Sequence, residues 1–560
     1  MNMALLPRLG ALPSGMVKVA GALLVSAVLI LLPTSLPPWE HYPGYDNFPD
    51  LPGTVQNHWL LHTLGLMGMT HSSMQMYPAT IDLVVLNGFP LDAIASWPLA
   101  ALLGWPAGFV VFNLLTLWAV GLSSAWLAGR WWGSLQAALV AGIAHQVAAP
   151  LLRELAYGRS TQVFGAIFAP LALGLLLEAM TTGRSTRAVG AGVMLALSTL
   201  TYWFFGFFYG LGLLTVIVLA GIERLPKTPQ MSCIFAISCL TILVLPMGYT
   251  AEGLSNQAGL EASLWSVVDH GSESIPLATL LEHRDLTNNL SQGIVGLTPL
   301  WWLLAGLGLA GRPRRWLVLG LWTGLGLLLA AGPWLTLPGE FLLPGPFALV
   351  PDVPLLRRLW WPDRGLFLMM PAVAVLAGGG AAALSRRWWW AGWAVGPLLI
   401  VEAFVALPNL PMPTTSGTPS ERVKALSAGT GPVLVLPQGS TKFKLAHRIL
   451  LDQIHHGRPL VNGTMPPDSE TAPQAFQRIS SLLVLQHLYA CAEGGEPFRF
   501  SDARDDALEP LWRFGVSEVH VDTGIFAGME TTLANYLVCV ESLLGEPIEI
   551  RGPHRVYGLD

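Results

Sequence analysis

The chain has 560 residues, of which 52% are hydrophobic and only 12% are charged. Soluble domains carry about 25% charged residues, and the mean hydropathy here is +0.53, so the composition argues against a soluble enzyme or a disordered protein. A formal net charge of −5 gives no basic surface for nucleic acid, and no nucleic-acid partner is expected. These values predict a polytopic α-helical membrane protein with enough length left for a soluble domain.

Membrane-spanning helices need about 20 mostly apolar residues, and the sequence contains runs of about this kind along most of its length. A shorter run at 94–103 is interpreted as an interfacial or re-entrant helix. The eleven predicted spans are residues 17–33, 105–128, 134–150, 161–180, 188–203, 205–222, 231–249, 293–311, 316–335, 365–384 and 388–407.

Basic residues predict the orientation of these spans, because cytoplasmic loops of membrane proteins are enriched in Lys and Arg. With the N-terminus in the cytoplasm, every predicted inside loop is basic. An odd number of spans then places the C-terminus outside. The residues concerned are Arg130, Arg184, Arg187, Arg224, Lys227, Arg312, Arg314, Arg315, Arg386 and Arg387.

The composition changes after residue 408. A linker rich in Pro, Thr and Ser comes first, and segments whose apolar residues have the spacing of strands or of helices follow it. We expect strands at 432–437, 516–522 and 547–557, and helices at 444–455, 472–492 and 531–544. The predicted domains are therefore a transmembrane part at 1–409, with a large first outside loop at 34–92, and an extracytoplasmic α/β domain at 410–560.

The four cysteines do not form a disulfide framework. Cys233 and Cys239 are six residues apart in one apolar run, about 9 Å along a helix and on different faces, so they cannot bridge each other. Cys491 and Cys539 lie in the polar tail. Two interpretations stay open for them, a disulfide in an extracytoplasmic domain or two unpaired buried thiols.

The first outside loop combines carboxylates with aromatic residues, and Val55, Trp59 and Leu66 fall near one face of a helix suited to the headgroup plane. A carboxylate held at the membrane edge can take a proton from an acceptor hydroxyl. The alternative is a solvated acidic loop beside an aromatic interface belt. The carboxylates are Asp46, Asp50, Asp82 and Asp92.

A second segment on the predicted outer side carries Arg357, Arg358 and Arg364 around Trp360-Trp361-Pro362. Positive charge outside runs against the general bias of the chain. Guanidinium groups bind phosphate through two parallel hydrogen bonds, which suits a lipid-phosphate headgroup. The equally weighted alternative is contact with ordinary lipid phosphates, with Trp as membrane anchors.

A third outside cluster contains Arg153, Glu154, Tyr157 and Arg159. Its members can line the same cavity as the arginines above. The favoured alternative is a local ion pair between Glu154 and Arg153 or Arg159.

Several short motifs, in this order, resemble the glycosyltransferase C superfamily of membrane enzymes that use polyprenyl-phosphate sugars. The resemblance is closer to the uncharacterised bacterial membrane proteins related to that superfamily, and it covers most of the chain. The motifs are Asp50 with Asn57-His58-Trp59, Tyr77-Pro78 with Asn87-Gly88, Asn113, Gly296-Leu297-Thr298-Pro299-Leu300, the segment 355–364, GPVLVLP at 431–437, HHGRPLVNG at 455–463 and LWRFGVSEVHV at 511–521.

The resemblance implies a fold of about eleven transmembrane helices with an extracytoplasmic α/β domain. It implies that a first-loop carboxylate, Asp50 or Asp46, is the catalytic base. A divalent metal ion is a candidate cofactor, although the chain lacks the Asp-Asp or Glu-Asp pair of that position. Arg357, Arg358 and Arg364 are then the donor-phosphate ligands, and the expected cavity-lining residues are Asp82, Glu154, Tyr157 and Arg159.

The function implied is transfer of a sugar from a polyprenyl-phosphate donor to a glycan, lipid or protein acceptor on the outer face of the cytoplasmic membrane. The expected partners are this lipid-linked sugar, its acceptor and membrane lipid. Two alternatives remain: a non-enzymatic assembly protein that keeps the fold, and a lipid or glycan transporter. A transporter would place ionisable groups near the membrane midplane, whereas the spans here hold few charges.

Overall fold

The computed structural model describes most of the chain, and all statements below concern those residues. They are 6–31, 40–45, 50–70, 72–79, 89–256, 297–311, 316–332, 334–337, 340–345, 348, 362–407, 410–419, 421–437, 448–462, 477–479, 481–493 and 504–559.

Helices dominate the described part. In chain order they are α1 (Met16–Leu31), α2 (Asp50–Thr70), α3 (Leu91–Leu103), α4 (Ala107–Trp132), α5 (Leu135–Gln146), α6 (Ala149–Ala156), α7 (Ser160–Ala166), α8 (Phe168–Thr182), α9 (Ser185–Thr201), α10 (Trp203–Ile222), α11 (Thr228–Asn256), α12 (Pro299–Gly311), α13 (Leu317–Ala330), α14 (Leu366–Arg387), α15 (Ala391–Ala406), α16 (Glu421–Ala428), α17 (Arg448–His456), α18 (Leu483–Glu493), α19 (Arg504–Arg513) and α20 (Glu530–Leu544).

Strands are short and lie mostly in the tail. They are β1 (His41–Pro43), β2 (Trp334–Leu337), β3 (Glu340–Pro344), β4 (Thr414–Ser416), β5 (Leu434–Leu436), β6 (Glu518–Asp522), β7 (Glu549–Arg551) and β8 (His554–Gly558). The described part of the chain also contains two short 3₁₀ turns, at Pro362–Gly365 and Gly524–Phe526.

Contacts divide the chain into two compact units. Unit 1 comprises Met1–Gly44, Leu102–Gly248 and Trp265–Thr414, and unit 2 comprises Tyr45–Ala101, Tyr249–Leu264 and Thr415–Asp560. The change at Thr414/Thr415 lies close to the boundary expected at 409/410. Most of the first loop, however, groups with the tail, and the expected domain division stays a prediction.

The described part of each predicted span is mainly helical, but only some helices meet a strict criterion for crossing a membrane. Four described helical segments are long and apolar enough, or five if the bent pair α5–α6 is one span. Several of the others are shorter apolar helices. The run predicted at 316–335 ends early: α13 stops at Ala330 and Gly332 has φ +82, after which β2 begins at Trp334. The total of eleven stays a prediction.

Helix α14 forms the centre of unit 1, because every residue from Leu366 to Ala381 is buried. Its glycines allow neighbouring backbones to approach. A Cβ atom at Gly380 would collide with the carbonyl of Leu304 in α12, and one at Gly308 of α12 would collide with the carbonyl of Leu376. Small residues at crossing points are typical of packed membrane helices, where close backbone contact replaces the hydrophobic effect.

The described part of the motif at 296–300, residues 297–300, leads into α12, where Glu402 of α15 binds the first turn. Its carboxylate accepts a hydrogen bond from the Leu300 N–H at 2.9 Å and another from the Thr298 hydroxyl at 2.5 Å. The first N–H groups of a helix have no partner within the helix. The Glu402 carboxylate is such a partner for the Leu300 N–H, and this contact joins α15 to α12.

Unit 2 contains a mixed four-stranded sheet in the order β5-β6-β8-β7. Strands β5 and β6 are parallel, and β8 runs antiparallel to both β6 and β7. The predicted strands and helices of the tail are all found here, although most are shorter than expected. Helices α16 and α19 were not predicted, since both are short and polar.

Two residues of the HHGRPLVNG motif have structural contacts next to this sheet. Arg458 donates hydrogen bonds to the carbonyls of Leu426, Thr430 and Gly431 at 2.9–3.0 Å and pairs with Glu518 at 3.0 Å. Asn462 bonds both the N–H and the C=O of Val435, at 2.8 and 2.7 Å. A buried guanidinium is tolerated because its donors are satisfied.

The first loop pairs with the tail inside unit 2. Met76 and Tyr77 donate their N–H groups to the carbonyls of Asn462 and Leu460, and the Leu460 N–H bonds the Met74 carbonyl, all at 2.9 Å. These backbone bonds join chain segments almost 400 residues apart. Helix α2 is buried on several sides, including Val55 and Trp59.

Cys491 and Cys539 form a disulfide between α18 and α20. This resolves the choice that the sequence left open. Cys233 and Cys239 are free thiols, as their spacing predicts.

We predict that Gly308→Ala destabilises unit 1 by about 1–3 kcal/mol, the usual cost of overpacking, because the added methyl group meets the α14 backbone. The measurement is the thermal unfolding midpoint in detergent. Gly306→Ala is the matched control, since a Cβ atom there has nothing within 4 Å. Equal midpoints for the two variants would contradict the packing described.

The second prediction concerns acid stability of unit 2. Burial opposes ionisation of Glu518, but hydrogen bonds from Arg458 and His520 outweigh it and hold the pKa of Glu518 below its usual range. The contribution of Glu518 is therefore present above the unfolded pKa of about 4.3 and is lost as the pH falls through the folded value. We expect Glu518→Gln to lower the unfolding midpoint at pH 7 and to flatten its decline below pH 5.

The control for this pH series is Glu509→Gln, which removes a solvent-exposed pair with Arg513. Such pairs contribute little, so its profile should follow the wild type. A Glu518→Gln profile parallel to the wild type would show that this carboxylate is not coupled to folding.

Candidate functional site: a buried arginine–carboxylate cluster

Four of the predicted site residues come together in unit 1: Glu154, Tyr157, Arg159 and Arg364. Glu154 accepts hydrogen bonds from Arg153 at 2.7 and 2.9 Å and from Arg159 at 3.2 Å, and it forms an ion pair with Arg364. Arg153 also bonds Asp363 at 2.5 Å. The local ion pairs expected for Glu154 are confirmed, and Arg364 joins them from a segment 210 residues away in sequence from Glu154.

The chain positions Arg153 and Glu154 by a break in a helix. Helix α5 ends at Gln146, and α6 resumes at Ala149 with a bend of 42°. After α6 the chain turns back, with Gly158 at φ +75 and the Arg159 N–H bonded to the Glu154 carbonyl at 2.8 Å. This turn returns the Arg159 side chain to the Glu154 carboxylate.

Asp363 and Arg364 lie in the 3₁₀ turn that leads into α14. The turn packs tightly against α13, because a Cβ atom at Gly365 would lie 2.8 Å from the Ala330 nitrogen and 2.9 Å from the Gly326 carbonyl oxygen. Gly365 and Gly326 face each other in this contact. The start of α14 is thereby fixed, and Arg364 with it.

Aromatic rings lie beside two of the guanidinium groups. The Arg364 guanidinium lies 5.9 Å from the ring centroid of Tyr202, and that of Arg159 lies 5.4 Å from the ring of Tyr157. Both distances fall within the range of cation–π attraction. Tyr157 therefore lies beside the cluster, as does Tyr202, which was not expected there. That Tyr157 lines a cavity stays a prediction.

The described members of the cluster are buried. Arg153, Glu154 and Arg364 are 0% exposed, and Arg159 and Asp363 are 7% and 6% exposed. Among these residues three guanidinium groups face two carboxylates. Burying charges is costly unless each is paired, and these contacts provide such pairing. A phosphate group matches the hydrogen-bonding geometry of arginine.

Of the predicted bases, Asp50 is the one within the described structure. It lies in the first turn of α2, in unit 2, and is partly exposed. A carboxylate at a helix N-terminus is stabilised by the unpaired N–H groups there. Asp46, Asp82, Arg357 and Arg358 lie outside the described residues.

Sequence reasoning missed a second buried polar group, in unit 2. His58 of the Asn57-His58-Trp59 motif bonds Ser96 through Nδ1 at 2.7 Å and Asp92 through Nε2 at 3.0 Å. All three residues are at most 3% exposed. The motif itself was a signal for His58, but nothing in the spacing indicated its partners on α3. This network joins α2 to α3.

We predict that Glu154→Gln lowers stability by about 3–5 kcal/mol, as expected when a buried ion pair loses one partner, because three arginines then lack this counter-charge. The unfolding midpoint and the yield of monodisperse protein measure the loss. Glu178→Gln, whose partners Arg130 and Arg187 are 14% and 40% exposed, should cost less because water reaches both partners, whereas Arg153 and Arg364 are 0% exposed. A larger loss for Glu178→Gln would contradict this ranking.

No protein-family model and no curated protein matches the sequence. Solved structures do match. Arabinofuranosyltransferase AftD from Mycobacteria aligns with a TM-score of 0.55 and 16% identity, over 98% of this chain and 42% of that chain. This chain thus spans less than half of AftD.

ArnT from Cupriavidus metallidurans in the apo state aligns with a TM-score of 0.54 and 13% identity, over 97% of both chains. The same ArnT bound to undecaprenyl phosphate aligns with a TM-score of 0.38 and 12% identity, over 97% of both chains. At such identities the likeness concerns the fold. The chain therefore shares the fold of AftD and of apo ArnT.

Proposed function

We propose that this protein is a membrane glycosyltransferase that moves a sugar from a polyprenyl-phosphate donor to an acceptor on the outer face of the cytoplasmic membrane. The observation that carries the proposal is the buried cluster around Glu154, with three arginines against two carboxylates. The fold shared with AftD and apo ArnT makes a lipid-linked sugar the substrate class to test first. ArnT itself has been solved with undecaprenyl phosphate, a polyprenyl phosphate.

In the proposed reaction, Asp50 or Asp46 removes the proton from the acceptor hydroxyl. The resulting oxygen attacks the anomeric carbon of the sugar, and the bond from that carbon to the phosphate oxygen breaks. The polyprenyl phosphate leaves with the bonding electron pair. Arg364, with Arg357 and Arg358 as further candidates, stabilises the charge that develops on the leaving phosphate. A divalent metal ion can share this role, and the acceptor can be a glycan, a lipid or a protein.

The proposed orientation places the N-terminus in the cytoplasm and unit 2 outside. The disulfide between Cys491 and Cys539 supports it, since disulfides persist in oxidising compartments such as the bacterial periplasm and are rare in the cytosol. The basic loops predicted on the inner side give independent support.

The catalytic test is the double variant Asp46→Asn, Asp50→Asn, reconstituted with a pool of polyprenyl-phosphate sugars. We expect sugar transfer to fall by about 10²–10⁴, the usual loss of a general base, because asparagine is nearly isosteric but cannot take the proton. Asp505→Asn, at an exposed position on α19, is the control. Full activity of the double variant would remove the catalytic assignment and favour the non-enzymatic assembly protein.

The donor-site test is Arg364→Lys. Lysine keeps the charge but cannot form two parallel hydrogen bonds to phosphate, so we expect KM for the lipid-linked donor to rise at least about tenfold. Arg513→Lys, on the exposed surface of α19, is the control. An unchanged donor KM in a folded Arg364→Lys protein would show that Arg364 does not bind the donor.

A further inference from the structure

Helices α18 and α20 of unit 2 bring three soft or borderline metal ligands together. His487 and Cys491 are one turn apart on α18, and Cys539 faces them from α20. One ligand atom from each residue lies within 4.8 Å of the others. Among the residues that the structure describes, this is the group of His, Cys, Asp and Glu side chains that could hold a metal ion. Nothing in the proposed glycosyl transfer uses it.

We propose that this group is a redox-gated site for a thiophilic metal ion, closed by the disulfide and opened by its reduction. In the oxidised protein the two sulfurs are joined to each other. In the reduced protein, the Cys491 and Cys539 thiolates and the His487 Nε2 atom bind one ion. The class of ion is a d¹⁰ cation with affinity for sulfur, Zn²⁺ or Cu⁺.

The distances suit this chemistry on the histidine side. The His487 Nε2 atom lies 3.7 Å from the Cys491 sulfur. Tetrahedral coordination with bonds of 2.3 Å to sulfur and 2.0–2.1 Å to nitrogen separates two such ligands by about 3.6 Å. His487 and Cys491 are therefore already spaced as two ligands of one ion. The same Nε2 atom lies 3.4 Å from the Cys539 carbonyl oxygen, so metal binding replaces that contact and places the ring proton on Nδ1. Only the two sulfurs must move apart, to about 3.7 Å.

The surroundings of the group favour a neutral or weakly charged complex. His487 is 0% exposed, and Cys491 and Cys539 are 4% and 5% exposed. Two thiolates neutralise the charge of Zn²⁺. With Cu⁺ they form a complex that carries one net negative charge. Buried thiolates are unfavourable alone, because burial penalises the charged form, so the reduced pair gains from a bound cation.

The disulfide form and the metal-bound form exclude each other, because both use the sulfurs of Cys491 and Cys539. A dithiol reductant donates two electrons and two protons to the Cys491–Cys539 bond, which yields two thiols, and the dithiol itself becomes a disulfide. Binding of the ion then releases both protons, because thiolates are the ligands. Reoxidation forms the sulfur–sulfur bond again, removes both thiolates and expels the ion.

The test uses the full chain with Cys233→Ser and Cys239→Ser, so that only the pair in unit 2 remains. The protein is reduced with a dithiol, the dithiol is removed anaerobically, and Zn²⁺ or Cu⁺ is added in separate arms. Retained metal is measured after gel filtration. We expect about one ion per reduced chain and none per oxidised chain, and the arm that is retained identifies the ion.

Variants separate the site from adventitious binding. Cys491→Ser should abolish retention, and His487→Ala should weaken it at least about tenfold, since even outer partners of metal ligands contribute 10–100-fold. His455→Ala, an exposed histidine of the same unit, should retain the ion. Retention by the oxidised chain or by Cys491→Ser would overturn the proposal, as would no retention by the reduced chain.

A second measurement tests whether unit 2 stays folded when the disulfide is reduced. The added ion should raise the unfolding midpoint of the reduced chain and leave that of the oxidised chain unchanged, because it binds only the reduced folded state. A reduced chain that stays unfolded with either ion would also overturn the proposal.

Discussion

The described centre of unit 1 depends on the contacts that the Glu154 carboxylate makes with three arginines. This carboxylate accepts hydrogen bonds or ion pairs from Arg153, Arg159 and Arg364, and all four residues are buried or nearly so. Three guanidinium groups at close range repel one another strongly in a medium of low dielectric constant. Without this carboxylate the bend between α5 and α6, the turn after α6 and the start of α14 would lose their common contact.

The glycines of α14 complement this electrostatic contact. Arg364 reaches Glu154 only because Gly365 and Gly326 let the start of α14 lie against α13. Farther along, Gly380 and Gly308 allow α14 and α12 to pack backbone to backbone. Close packing therefore fixes the position of a charged side chain.

Several motifs that resemble the superfamily prove to have structural contacts. Thr298 takes part in the Glu402 contact at the start of α12, Arg458 holds the loop before β5, and Asn462 pairs with Val435 as a strand would. These contacts stabilise the fold, and the proposed reaction does not use them. This agrees with the comparisons, in which the fold matches at identities of 13–16%. The residues that carry the proposed chemistry, Asp50 and Arg364, come from other motifs.

By itself the sequence determined the class of protein and the type of most elements. Composition indicated a helical membrane protein. A short continuous apolar run located β5 and the alternation of apolar and polar residues located β6, because burial on both faces or on one face leaves a different pattern along the chain. Charge bias identified the segment of Arg364 as unusual. Only the tertiary structure decided which distant residues meet. The contact of Arg364 with Glu154, the pairing of Met74–Tyr77 with Leu460–Asn462 and the Cys491–Cys539 bond all join remote segments. Local periodicity carries no information on such pairs, since they depend on how the whole chain packs.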